Sequence, residues 1–157
     1  MLNVLRAMLE KDSDIALVLV GDGPLREPVR DKAEKIGVTN HIVFTGVRPD
    51  ISDLMQAMDV FFFPSLFEGL GVAAIEAQAS GLKCLVSAGI PSEARVTDNL
   101  EFMSIEMPAE VWAEKLLEYA SGYDRKNTYQ MIVDAGYDVK DNARWLENFY
   151  HKITECA

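Results

Sequence analysis

Residues 60–86 read Val60-Phe61-Phe62-Phe63-Pro64-Ser65-Leu66-Phe67-Glu68-Gly69-Leu70-Gly71-Val72-Ala73-Ala74-Ile75-Glu76-Ala77-Gln78-Ala79-Ser80-Gly81-Leu82-Lys83-Cys84-Leu85-Val86. An unbroken apolar run, mostly phenylalanine, stops at Pro64-Ser65, which predicts a buried strand and its end. A turn through Glu68 and two glycines then opens a helix over about residues 71–80. Cys84-Leu85-Val86 follows as the next apolar strand. Apolar strands separated by helices belong in a parallel sheet covered on both faces.

Outward from this unit the same rhythm repeats. Upstream, residues 2–11 predict a helix and residues 15–20 an apolar strand closed by Gly21-Asp22-Gly23-Pro24. Leu25, Val29, Ala33 and Ile36 stand at helical spacing, His41-Ile42-Val43-Phe44 is a short strand, and Asp50 is placed to cap a helix carrying Ile51, Leu54, Met55 and Met58. Downstream, residues 102–105 predict a fifth strand and residues 108–120 a helix. The tail from Tyr123 onward reads as wholly helical, with a stripe of Leu146, Phe149, Tyr150 and Ile153. The fold class is therefore α/β, a doubly wound parallel sheet in a single domain over residues 1–157. Such a domain usually opens with a strand, whereas this chain opens with a helix, so the sheet is expected to lack its first strand.

Composition narrows the partners. The 157 residues are 49% hydrophobic and carry a net charge of −10. Nothing basic enough is present to neutralise a nucleic-acid backbone, which excludes a general nucleic-acid binder. No stretch approaches the run of about 20 apolar residues that a membrane span needs. The first helix lacks the basic start and unbroken apolar core of a signal peptide. Cys84 and Cys156 suggest neither a disulfide framework nor a metal site, and a reducing cytoplasm fits them best. His41 and His151 have no nearby Cys or second His and read as structural or exposed. Gly21-Asp22-Gly23 lacks the third glycine of a dinucleotide fingerprint, so Asp22 and Pro24 are expected to shape a turn.

In a doubly wound sheet the ligand lies beyond the carboxyl ends of the strands, so the residues after Val20, Phe44, Phe63 and Val86 carry the most weight. Gly69 and Gly71 remove side chains where a ligand approaches the backbone. The amides of Leu70, Gly71 and Val72 point out of a helix start and, with the helix dipole, suit a phosphate. Glu68 and Glu76 would repel phosphate but accept hydrogen bonds from hydroxyls. Glu76 falls in the second helical turn, about 7 Å along the axis from Gly71. With Val72, Ile75 and Ala79 expected to face the core, Glu76 sits beside the buried stripe. Two carboxylates flanking an amide-lined phosphate site suit a nucleotide sugar, with a sugar on either side of a diphosphate.

Pro-Ser-x-x-Glu-Gly-x-Gly, followed by a glutamate eight residues after the first, resembles the glutamate-pair motif of the retaining group 1, or family 4, glycosyltransferases of the GT-B fold. Residues 76–86, Gly21-Asp22-Gly23-Pro24-Leu25 and Val43-Phe44-Thr45-Gly46 are similar to the same family. Together these motifs cover roughly residues 17–117. Residues 87–93 and 97–99 resemble members that build bacterial exopolysaccharide or capsule. The resemblance implies a Rossmann-like half of a GT-B fold that binds the nucleotide-sugar donor. It places Glu68 near the donor sugar as the catalytic-side carboxylate and Glu76 on the ribose hydroxyls. It puts the amides of Gly69, Leu70 and Gly71 on the diphosphate, with Ser65 and Val72 at the same turn and the backbone of Val47 and Arg48 beside the base, and it counts Gly21 among the nucleotide-binding residues. No metal and no further cofactor are implied.

The sequence departs from the family at Lys83, where proline is frequent, and at Gly71-Val72-Ala73. The basic residues that neutralise the diphosphate in the family follow a first strand, and none precedes Leu2. The acceptor-binding domain that the resemblance implies is expected to lie outside this sequence. The implied partners are the nucleotide sugar and that N-terminal acceptor domain, and the exposed sheet edge would favour self-association of the fragment. The fragment alone is expected to be inactive, and the intact enzyme to sit in the cytoplasm or at the inner face of the membrane. Two rivals remain open at this point: a GT-B nucleotide-sugar epimerase, and a non-enzymatic α/β binding module.

Overall fold

A computed structural model describes residues 1–155. In chain order the elements are α1 (Leu2–Leu9), β1 (Leu17–Val20), α2 (Arg26–Lys35), β2 (Ile42–Gly46), α3 (Ile51–Ala57), β3 (Val60–Phe63), α4 (Val72–Ala79), β4 (Lys83–Ser87), β5 (Leu100–Met103), α5 (Ala109–Ala120), α6 (Tyr129–Asp134) and α7 (Val139–Glu155). Short 3-10 turns at Thr39–His41 and Ser92–Ala94 precede β2 and β5. The alternation read from the sequence is thus present, and every strand pair is parallel.

The parallel strands form two ladders, β1-β2 and β3-β4-β5. Among the described residues no strand joins them, so β1 and β3 each keep an unpaired edge. Burial follows that arrangement. The central strand β4 is buried from Cys84 to Ser87, whereas β1 and β3 are only half-buried despite being wholly apolar. Helix α1 connects the two parts. Its Val4 and Ala7 pack with Leu85, Trp112 and Leu116, and its Leu2 and Leu5 pack with Ala33 and Val38. A third cluster, on the other side of the three-stranded ladder, joins Met55 of α3 and Ala74 and Ala77 of α4 to Cys84 and Val86.

The segment after α5 corrects the expectation of a continuous helical tail. Residues 123–128 lie outside any helix or strand and strap the amino-terminal ends of β3 and β4. The Tyr123 hydroxyl donates to the Asp59 carbonyl and accepts from the Lys83 amide. The Arg125 guanidinium donates to the carbonyls of Met55, Gln56, Met58 and Ser80, at the carboxyl ends of α3 and α4, where a cation also complements the helix dipoles. A side chain at Gly81 has no room here, since its Cβ would stand 2.7 Å from the Lys126 carbonyl oxygen. The helical signal resumes in α6 and breaks again at Gly136, whose φ of 82° ends that helix before α7.

On α7 the aromatic stripe lies open to solvent. Trp145 is 65% exposed and stacks on Phe149 at 5.4 Å between ring centroids. Tyr150 and Ile153 are exposed as well. The reading of Cys156 falls outside the described residues.

Candidate functional site

The turn after β3 is organised by short-range bonds that its residue types dictate. Ser65, at the strand end, donates its hydroxyl to the Glu68 carboxylate at 2.7 Å and lies 3.2 Å from the Phe67 carbonyl oxygen. Glu68 is half-buried, so this bond fixes which way its carboxylate faces. Gly71 occupies the N-cap of α4 with φ 80° and ψ 47°, a left-handed conformation that glycine adopts without strain. With glycine there, no capping side chain covers the start of the helix.

The consequence is a row of free donors. Among the described residues, the amide N–H groups of residues 69–73 meet no acceptor, backbone or side chain. The first bond of the helix is donated by Ala74 to the Gly71 carbonyl at 2.9 Å. Consecutive unpaired amides at a helix start, with the positive end of the dipole behind them, form a ready anion site. The two carboxylates lie to either side: Glu68 in the turn and Glu76, exposed, in the second turn of α4.

The core-facing assignment within α4 is corrected. Ala74, Ile75, Ala77 and Gln78 are buried, while Val72 is 57% exposed and Ala79 is exposed. The buried stripe thus keeps Ile75 but has Ala74, Ala77 and Gln78 in place of Val72 and Ala79. Val72 therefore stands at the mouth of the site with its amide free.

The remaining predicted residues lie at the ends of β1 and β2. Gly21, with φ 121°, bridges Gly46 and donates its amide to the Gly46 carbonyl at 2.8 Å. Val47 is 80% exposed. Arg48 forms a two-pronged bond to Asp50, through Nε to Oδ1 and Nη2 to Oδ2. That guanidinium holds the Asp50 carboxyl below its ordinary value. Asp50 sits at the N-cap of α3 but makes no side-chain cap, its carboxylate being taken by Arg48. With the Arg48 side chain so engaged, its backbone is the part of Arg48 left for a ligand.

The loop after β4, weighted in the sequence as a strand end but not expected to touch the turn, backs it. After β4 the Ser87 hydroxyl donates to the Ser65 carbonyl. A Cβ at Gly89 would stand 2.7 Å from the Leu66 carbonyl oxygen, so only glycine allows this approach. A Cβ at Gly71 would reach Ile90 Cγ2 at 3.0 Å. The small residues of the Ser87-Ala88-Gly89 stretch were the available signal.

His41 Nδ1 lies 3.0 Å from the Ile15 carbonyl oxygen, a structural bond. Asp22 accepts from the Gly23 amide and the Arg26 guanidinium, which shapes the turn before α2. Among the described residues no group of three His, Cys, Asp or Glu side chains is placed to hold a metal ion. No helix among them is long and apolar enough to cross a membrane. A hollow of about 360 Å³ lined by Lys83, Arg95, Glu101, Lys115 and Tyr119 lies towards the amino-terminal end of β4, away from the turn. Within it Lys115 pairs with Glu101 at 3.1 Å, and the Tyr119 hydroxyl donates to Glu101 at 2.5 Å.

The family profile described as glycosyl transferases group 1 matches residues 1–138. This chain belongs to the group 1 glycosyltransferases. It is 36% identical over 149 residues to the glycosyltransferase EpsF of Bacillus subtilis strain 168, covering 93% of this chain and 39% of EpsF. The chain thus spans about two-fifths of that relative's length. Among solved structures it resembles sucrose-phosphate synthase from Thermosynechococcus elongatus, with a TM-score of 0.76 at 21% identity over 99% of this chain and 43% of that one. It also resembles HepE of Anabaena, determined in complex with UDP and glucose, with a TM-score of 0.72 at 19% identity over 94% of this chain and 44% of HepE. At those identities the likeness establishes the fold, the Rossmann-like half of a GT-B glycosyltransferase. The group 1 resemblance of the glutamate-pair motif is thereby matched by family and by fold.

Proposed function

We propose that this domain binds the nucleotide-diphosphate sugar donor of a retaining glycosyltransferase that extends a glycan or a lipid-linked acceptor. The carrying observation is the row of unpaired amides at residues 69–73, flanked by Glu68 and Glu76, at the carboxyl end of β3. Amides without acceptors stabilise the diphosphate both as bound donor and as departing group. Glu76 accepts from the ribose hydroxyls, and Glu68, oriented by Ser65, faces the donor sugar. Gly21 and the backbone of Val47 and Arg48 border the base. HepE, whose fold is similar, was determined with UDP and glucose bound, which supports a nucleotide sugar as ligand.

On this reading the chain is the C-terminal, donor half, and an N-terminal domain brings the acceptor hydroxyl. The unpaired apolar edges of β1 and β3 support a further strand in the intact sheet. The basic groups that complete the diphosphate clamp belong to that missing part, so the fragment alone binds weakly and transfers nothing. The chemistry assigned here uses no metal and no cofactor beyond the donor. A Vi polysaccharide biosynthesis protein of Salmonella typhi and a galactosyltransferase of Escherichia coli acting on a diphosphoundecaprenol-linked sugar are similar to this chain, which supports polysaccharide biosynthesis.

The test is calorimetric titration of the chain with UDP, GDP and ADP, repeated on Glu76→Ala. One nucleotide binds preferentially, and the variant loses affinity by about 10- to 100-fold, as expected for a charged hydrogen-bond acceptor. Absence of binding in the longer protein, with its upstream strand and partner domain, would refute the donor-site reading.

A further inference from the structure

We propose that Gln78 is a positioning residue that clamps the loop 87–97 onto the turn 65–71 and thereby sets the row of amides at residues 69–73. The ligand assigned to those amides rests on the reading above; the clamp itself rests on geometry.

Gln78 is fully buried on the inner side of α4, two residues beyond Glu76. Its Nε2 donates to the carbonyls of Ala74 at 2.9 Å and Ala94 at 2.7 Å. Its Oε1 accepts from the amides of Val96 at 3.0 Å and Thr97 at 2.9 Å and from the Thr97 hydroxyl at 3.1 Å. A carboxamide has two N–H donors and one oxygen acceptor, and every one is used. The orientation has no alternative, because turning the amide over would aim donors at donors. One side chain therefore ties the helix that starts at the site to the loop backing it.

The loop in turn bears on the site at three points. The Ser87 hydroxyl donates to the Ser65 carbonyl, Gly89 approaches the Leu66 carbonyl too closely for any side chain, and Ile90 packs over Gly71. Ser65 then holds Glu68. A displacement of the loop is transmitted to the Glu68 carboxylate and to the left-handed Gly71 from which the free amides run.

An apolar residue of similar size would fill the space but leave the buried Thr97 amide and hydroxyl, and the amide of Val96, without their acceptor. The test compares the 157-residue chain with Gln78→Met, and with Thr97→Val and Thr97→Ser, by amide NMR and by hydrogen exchange. In Gln78→Met the Val96 and Thr97 amides exchange about tenfold faster or more, and the signals of residues 69–73 shift and broaden while those of β3 and β4 hold. Thr97→Val shows the same change in smaller degree, and Thr97→Ser, which keeps the hydroxyl, restores the original signals. Unchanged signals at residues 69–73 despite faster exchange at Val96 and Thr97 would overturn the proposal and leave Gln78 a packing residue. If Gln78→Met does not fold, the Thr97 pair decides by the same criterion. Titration with UDP, GDP and ADP separates the two readings. A turn that follows Gln78, together with no nucleotide affinity in the longer protein that has its upstream strand and partner domain, upholds the clamp and removes the ligand. A nucleotide that binds about tenfold more weakly to Gln78→Met upholds both.

Discussion

Gly69 and Gly71 stand two residues apart in one turn, yet the structure assigns them different work, and a paired substitution separates the two roles. At Gly71 the backbone is left-handed, φ 80°, and an added Cβ meets Ile90 Cγ2 at 3.0 Å. Alanine there costs about 1–2 kcal/mol for the conformation and somewhat more for the shift of Ile90. A total near 2–3 kcal/mol lowers the melting temperature by about 5–10 °C in a domain of this size. At Gly69 the backbone is not left-handed and nothing lies within 4 Å of an added Cβ. Alanine there leaves stability within about 0.5 kcal/mol. Its methyl group stands instead at the edge of the free amides, where the diphosphate is assigned, so nucleotide affinity falls while the fold is untouched. Urea denaturation gives the first quantity and calorimetric titration the second. Equal loss of stability in both variants, or a neutral Gly71→Ala, would refute the division between a conformational glycine and a ligand-facing one.

Two further outcomes follow from the packing. Arg125→Ala removes the charged donor from four carbonyls at the ends of α3 and α4 and is expected to cost about 3 kcal/mol, read as a fall of about 6–12 °C in melting temperature. Glu101 has its carboxyl held below the ordinary 4.5: burial opposes ionisation, but the Tyr119 hydroxyl and the Lys115 ammonium prevail. A depressed carboxyl contributes stability that is present above pH 4.5 and is lost as pH falls through the lower folded value. Glu101→Gln therefore lowers stability at neutral pH and flattens its acid dependence below about pH 4.5, as measured by denaturation between pH 3 and 7; an unchanged acid slope would remove Glu101 from that role.

Much of the site was legible before any coordinates because its signals are local. An apolar run ending in Pro64-Ser65 marks a strand end whatever surrounds it, and two glycines before a helical period mark a start that no side chain caps. The serine–glutamate pair, the left-handed glycine and the free amides all arise within nine residues of chain. The strand end before Ser65, the turn through Glu68 and the helix start after Gly71 therefore lie where the local pattern puts them, as do β3 and α4 within a residue or so. Val72 was misplaced because the facing of a helix depends on what packs against it; in α4 the burial of Gln78 among loop amides sets the rotation. The tail was read as one helix because its apolar spacing is helical, but residues 123–128 stay out of helix, with Tyr123 and Arg125 bonded to distant backbone groups at strand starts and helix ends.

The sequence by itself determined which segments are strands and helices, that the strands run parallel, and which turn exposes its amides, since each follows from neighbours a few residues apart. Only the tertiary structure decided that the strands fall into two ladders with open edges at β1 and β3. Only it brought Ser87, Gly89 and Ile90 onto the turn, closed Gln78 around the loop and placed Arg125 beneath two helices. Those bonds join residues from about 16 to 70 positions apart, and a partner at that separation is chosen by shape and by unsatisfied donors in the folded chain, not by the local pattern of residues.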